Sequence, residues 1–190
     1  YAWNWDPLVL VLLGISLAMY SAGVLRLRAR TAVPVLTRSQ LAAFFAGWAV
    51  LLVALVSPVH KIGAALFSVH MSQHILLMLI AAPLMVMGRP LIAFVWALPE
   101  KRRATVTQFF RRARVAFLWH AVSAPLTAWI LHALVLWVWH LPSLYAAAVL
   151  SDAVHMVQHT MFLLTALLFW WTLIHGCYGR MGYGISVLYV

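Results

Sequence analysis

The chain has 190 residues, 66% of them hydrophobic and 8% charged, and its mean hydropathy of +0.98 lies far above that of a water-soluble domain. A net charge of +10 would suit nucleic acid in a soluble protein, but the cations here lie between apolar segments, where they mark cytoplasmic loops; nucleic-acid binding is excluded on that ground. The single cysteine, Cys177, excludes an internal disulfide and any Cys-x-x-Cys metal or redox site.

An all-α polytopic bundle is therefore expected, one transmembrane domain over residues 1–190 with about five to six spans. Trp3 and Trp5 suit a membrane interface, and Asp6 followed by Pro7 is an N-cap and first-turn pair opening a span over about 8–25. That run lacks the basic n-region and small-residue cleavage site of a signal peptide, so it reads as a mature span. Arg26, Arg28, Arg30 and Arg38 around Pro34 form a loop, and a second span over about 40–57 ends at Ser57-Pro58. His60 and Lys61 lie in a brief connection. The third span covers about 67–87 and stops at Gly88-Arg89-Pro90. From Leu91 to Val115, six cations are spaced among Val106, Phe109 and Phe110, the pattern of an amphipathic helix lying on an anionic leaflet. A fourth span over about 117–139 closes in the aromatic stretch Trp137-Val-Trp-His-Leu-Pro142, and a fifth covers about 152–174. Another apolar run opens at Ile185, so the chain reads as part of a longer protein.

Orientation follows from the cations. Twelve of the thirteen fall in the first loop, between Arg89 and Arg114, or at Arg180, and only Lys61 lies on the other side. The N-terminus and the connections after spans two and four are then outside. His70 and His155 come to lie roughly 3 Å, and His74 and His159 roughly 9 Å, below the outer boundary at ~1.5 Å per residue. His132 reaches a similar depth in span four, while His60 and His140 stand at the outer ends of spans two and four.

Those histidines belong to a repeat. Val69-His-Met-Ser-Gln-His74 and Val154-His-Met-Val-Gln-His159 agree at five of six positions, 85 residues apart. Residues four apart share a helix face, so each copy projects a pair of imidazoles. Spans two and three form one hairpin and spans four and five another of the same direction. Such parallel repeats are related by an axis along the membrane normal, which brings the pairs to face one another. Neutral imidazole binds copper, zinc and iron, and two i, i+4 pairs offer four nitrogens. Met71 and Met156 follow the first histidine of each pair; thioethers favour Cu(I), but both lie about 100° round the helix and read equally as packing residues. Gln73 and Gln158 could hydrogen-bond a ligand ring. Only Asp6, Glu100 and Asp152 are acidic, too few for a calcium or magnesium site.

Other residues have plainer readings. His120 and His175 fall near the inner face and read as hydrogen-bonded structural groups, Asp6 and Asp152 as helix caps, and Met78, Met85 and Met161 as core. A lone intramembrane histidine is commonly structural, whereas four at matched depth call for a common partner, because ionisable side chains in lipid are costly.

Trp3-Asn-Trp-Asp-Pro7, the first histidine repeat running into Ala82-Pro-Leu-Met-Val-Met-Gly88, Trp139-His-Leu-Pro-Ser-Leu-Tyr145, and His155 to His159 with Phe169-Trp-Trp171 resemble the CtaG family. These are polytopic assembly factors of caa-type cytochrome c oxidases, distinct from the single-span periplasmic copper chaperone that shares the name. The resemblance covers nearly all of the chain. It implies about seven spans in the whole protein, residence in a bacterial inner membrane, and a part in maturing a haem-copper oxidase by handling copper at the periplasmic side. Oxidase subunits or periplasmic copper chaperones would then be partners, besides the lipid bilayer.

The resulting expectation is a metal-handling assembly factor rather than an enzyme. His70, His74, His155 and His159 hold copper as Cu(I), and His60, His140 and His132 complete the shell or pass the ion onward. Two alternatives share the motif: a b-type cytochrome with haem between one histidine of each helix, and a diiron oxidase of the desaturase kind, whose histidine boxes face the cytoplasm. A transporter would need a ligand trail from His74 to the inner face, and the sequence has none.

Overall fold

Prolines and caps cut this chain into helices of unequal length. A computed structural model describes residues 3, 5–31, 34–58, 62 and 66–176, and helix is the only regular structure among them. Helix α1, Pro7–Arg30, starts on Asp6, whose carboxylate accepts the Leu8 and Val9 amides at 2.8 and 3.4 Å. Helix α2, Arg38–Val56, opens with a capping box between Thr37 and Gln40 and stops at Ser57, just before Pro58.

Helix α3, Phe67–Met87, carries both histidines of the first repeat and is not uniform. Leu76–Ala81 forms a π-helical turn, in which the Ala82 amide bonds back to the Leu77 carbonyl. Pro83 accounts for it: the ring has no N–H and crowds the carbonyl four residues earlier, and the wider turn relieves both. Arg89 then adopts a left-handed conformation, φ 51°, the one non-glycine residue with positive φ among those described. Pro90 follows in the first turn of α4, Pro90–Ala97.

Rather than lying apart on a leaflet, α4 runs along the lower half of α1. The Tyr20 hydroxyl donates to the Gly88 carbonyl at 2.9 Å, Gly23 lies against the Ala93 carbonyl where a Cβ would overlap it, and Arg26 donates to the Ala97 carbonyl. The stretch expected as one amphipathic helix thus splits by chemistry. Its uncharged part joins the bundle, and its cationic part, α5 (Glu100–Phe110), buries no residue.

The fourth predicted span is also divided. Helix α6, Ala113–Val122, and α7, Pro125–Trp139, meet at a 63° bend where Pro125 starts a new helix. With 15 residues, α7 alone covers about 22 Å, less than the ~30 Å of a hydrocarbon core. Helix α8, Pro142–Leu150, leads into α9, Asp152–His175, which bears the second repeat. Helices α1, α2, α3 and α9 are each long and apolar enough to cross a membrane, and α6 with α7 make a fifth if taken as one bent span. The run from Ile185 and the loop residues His60 and Lys61 lie outside the described residues.

Helix directions follow from the contacts. Leu13 meets Trp48 and Tyr20 meets Phe44, so α1 and α2 are antiparallel; Gly47 meets Ala81 and Met85, and Gln73 meets Ala54, so α2 and α3 are antiparallel too. His132 meets Thr165 and Trp139 meets Met161, which sets α7 against α9 in the same way. Helices α3 and α9 run in parallel, His70 facing His155 and His74 facing His159. Two hairpins of equal direction therefore stand side by side, as the repeat predicts. A large core fills the space among α1, α2, α3 and α4, while Trp139, Ala148 and Phe162 form a small one between α7, α8 and α9.

Candidate metal centre

The i, i+4 spacing turns both histidines of each copy to one face, and parallel docking of α3 on α9 turns those faces together. Ring centroids are 4.3 Å apart for His70 and His74, 4.1 Å for His155 and His159, 5.1 Å for His70 and His155, and 5.2 Å for His74 and His159. Each residue thus stands opposite its own repeat equivalent, as a local two-fold axis between the helices requires. Ligand nitrogens of His70, His74 and His155 all lie within 4.8 Å of one another. Two imidazole nitrogens on one ion, with bonds of about 2 Å, are at most about 4 Å apart, so the three are close to coordinating distance.

All four rings are buried, and His74 is the extreme case. It is 3% exposed, and neither of its ring nitrogens has a hydrogen-bond partner among the described residues. Burying an imidazole without a partner forfeits its hydration, a cost that a metal bond at either nitrogen would remove. Phe162 packs edge-on against this ring at 4.7 Å, and Tyr145 stands edge-on to His70 at 6.0 Å. Neither was singled out as lining the site from the sequence, although Tyr145 closes the Trp139 to Tyr145 phrase; periodicity does not say which aromatic of a neighbouring helix meets the histidine face.

The remaining histidines divide. His140, at the end of α7, is exposed, and its ring centre is 6.4 Å from that of His74. Its Nδ1 lies 2.6 Å from the Leu136 carbonyl, to which it donates, so Nε2 carries the lone pair. His132 is not brought to the cluster. Its Nδ1 lies 2.9 Å from the Thr165 hydroxyl and its ring stacks on Phe169 at 5.7 Å. Thr165 is six residues past His159, about 9 Å farther along α9. His120 is exposed on α6, and His175 stacks on Trp171 at 4.7 Å.

The flanking glutamines are fully buried. Gln73 donates its amide to the Ala54 carbonyl at 2.7 Å and so ties α3 to α2. Gln158 is 1% exposed, and its Oε1 has no partner among the described residues.

Beside the cluster lies a cavity of about 470 Å³ between α1, α2, α3 and α9. His70, His155 and His159 form part of its wall, and Asp6 and Asp152 line it where α1 and α9 begin. Two of the three acidic residues in the chain thus line the same cavity as the histidines.

The model of the cytochrome c oxidase caa3 assembly factor family matches residues 18–190. The chain belongs to that family. No curated protein and no solved structure matches it. In this caa3 assembly factor the matched region holds α2 to α9 entire and most of α1, and with them every histidine of the cluster.

Proposed function

We propose that this assembly factor binds copper, as Cu(I), between His70, His74, His155 and His159, and supplies it to a haem-copper oxidase from the periplasmic side of a bacterial inner membrane. The observation that carries the reading is His74, its two ring nitrogens buried without a hydrogen-bond partner among the described residues, inside a ring of three other imidazoles. The charge of the donor set supports the oxidation state. Four neutral imidazoles leave a bound Cu(I) with one positive charge, whereas a divalent ion would keep two, and the Born cost of a buried charge rises with its square.

The distribution of cations supports the orientation. Arg26, Arg30 and Arg103 gather around Trp96 and Glu100 at the end of the bundle away from the histidines, where the positive-inside rule puts the cytoplasm. The cavity supplies an approach path, with Asp6 and Asp152 drawing a cation toward the rings. His140, exposed and with its Nε2 lone pair uncommitted to the Leu136 bond, and His60 are the groups to receive or pass on the ion. The role is that of a metal-handling factor with oxidase subunits or periplasmic copper chaperones as partners. A haem fits less well, because the four rings pack on one another across the space that a macrocycle would need.

The test is elemental analysis of protein purified from copper-supplemented cells. Wild type is expected to carry copper, and the folded His74→Ala, His159→Ala double variant to carry almost none; equal copper in both would refute the assignment.

A further inference from the structure

Two carbonyls that a proline leaves without a helical donor are each taken up by a side chain of another helix. The amide due to bond Ala54 belongs to Pro58, and Gln73 donates to Ala54 in its place at 2.7 Å. The second is Met78. Its i+4 donor, the Ala82 amide, is spent on Leu77 in the π-turn, and its i+5 donor would be residue 83, a proline. The Trp170 indole N–H meets the Met78 carbonyl at 2.8 Å, joining α9 to α3 across 92 residues.

We infer that Trp170 is a positioning residue of the histidine cluster, acting through the carbonyl that Pro83 and the π-turn expose one turn below His74. The inference rests on the copper reading for its functional meaning, but the geometry stands by itself. The contacts beside the Trp170 bond, through Phe162, Leu163 and Leu167, are apolar and resist sliding weakly because they have no preferred direction, and the bonds of His132 to Thr165 and Trp139 to Met161 tie α9 to α7 rather than to α3. A hydrogen bond to one carbonyl has both a length and an angle. Side chains on a helix lean toward its N-terminus, so the indole of Trp170 reaches up α9 toward the level of the π-turn. Fixing α9 there fixes which residues of the second repeat face His70 and His74. A slip of one residue would turn His155 and His159 about 100° away from the partner pair.

The test uses the full chain in lipid nanodiscs, in a Cys177→Ser background, with two readouts. Spin labels at Ser72 and Val157, both exposed on the two histidine helices, report the α3–α9 distance without metal; Cu(I) affinity by competition with a chelator reports the site. Trp170→Phe keeps the ring and loses the N–H. It is expected to shift or broaden the label distance and weaken copper binding at least tenfold. Trp48→Phe is the control, since Trp48 makes the same kind of bond to the Leu13 carbonyl, at 3.1 Å, between α1 and α2; it is expected to move neither readout. Should Trp170→Phe not fold, Pro83→Ala serves instead. It returns an N–H to residue 83, gives Met78 a donor within its own helix, and is expected to shift the same distance. An unchanged distance in the folded variant, or equal changes in Trp170→Phe and Trp48→Phe, overturns the inference while leaving the copper site standing. A wild-type chain that binds no copper sinks the copper reading alone, and the label distance then decides the role of Trp170.

Discussion

The two hairpins that carry the histidine repeat have the same direction and nearly the same key phrase, yet they are held very differently. The α2–α3 hairpin is embedded. It shares a core with α1 and α4 that includes Tyr20 stacked on Phe44, and Gln73 latches its two helices together. The α7–α9 hairpin has only the small core of Trp139, Ala148 and Phe162 between its own helices, a bent entry through α6, and the short α8 between its arms. What the contrast teaches is that the repeat supplies the four imidazoles, whereas the unrepeated helices supply the frame on one side only. The second pair of imidazoles must be aligned from the first, which is where the Trp170 bond to Met78 acts.

The largest test of that asymmetry is at Phe162, which is fully buried against both the small core and the His74 ring. Phe162→Ala should cost about 3–5 kcal/mol in stability, the usual loss for emptying such a site. Unfolding in detergent measures it, and a loss near zero would show that the second hairpin does not depend on its small core.

A smaller effect distinguishes the two glutamines. Gln73→Leu strands the Ala54 carbonyl and should destabilise the protein by about 1 kcal/mol. Gln158→Leu removes an amide whose oxygen has no partner among the described residues, and its cost should be near zero. Equal costs would mean that the hairpins are latched alike. Smallest of all is the acidic pair. Asp6→Asn with Asp152→Asn preserves the cap at α1, because asparagine caps as well as aspartate, and should slow copper loading severalfold without changing affinity at equilibrium. Stopped-flow loading checks it, and an unchanged rate would remove the cavity as the approach path.

Much of this was legible in the residues. The Asp6-Pro7 start, the stop before Pro58, and the limits of α3 and α9 follow from caps and apolar runs, and the repeat located the four imidazoles because i, i+4 spacing and parallel direction fix a face and a depth. His132 shows the limit of that logic. Depth comes from counting along a helix, but azimuth depends on the neighbour, and His132 turns to Thr165. Pro125 lies within a continuous apolar run, so hydropathy carried the fourth span straight through a bend that backbone chemistry imposes. The fate of α4 depends on Gly23, whose missing Cβ admits Ala93, a close approach that no pattern within residues 91–115 announces.

The most direct measurement is X-ray absorption at the copper edge on the copper-loaded protein. The expected spectrum is that of Cu(I) with a shell of imidazole nitrogens alone, three or four by the geometry of the cluster. A shell dominated by sulfur, or a protein that retains no copper, would contradict the account at its centre.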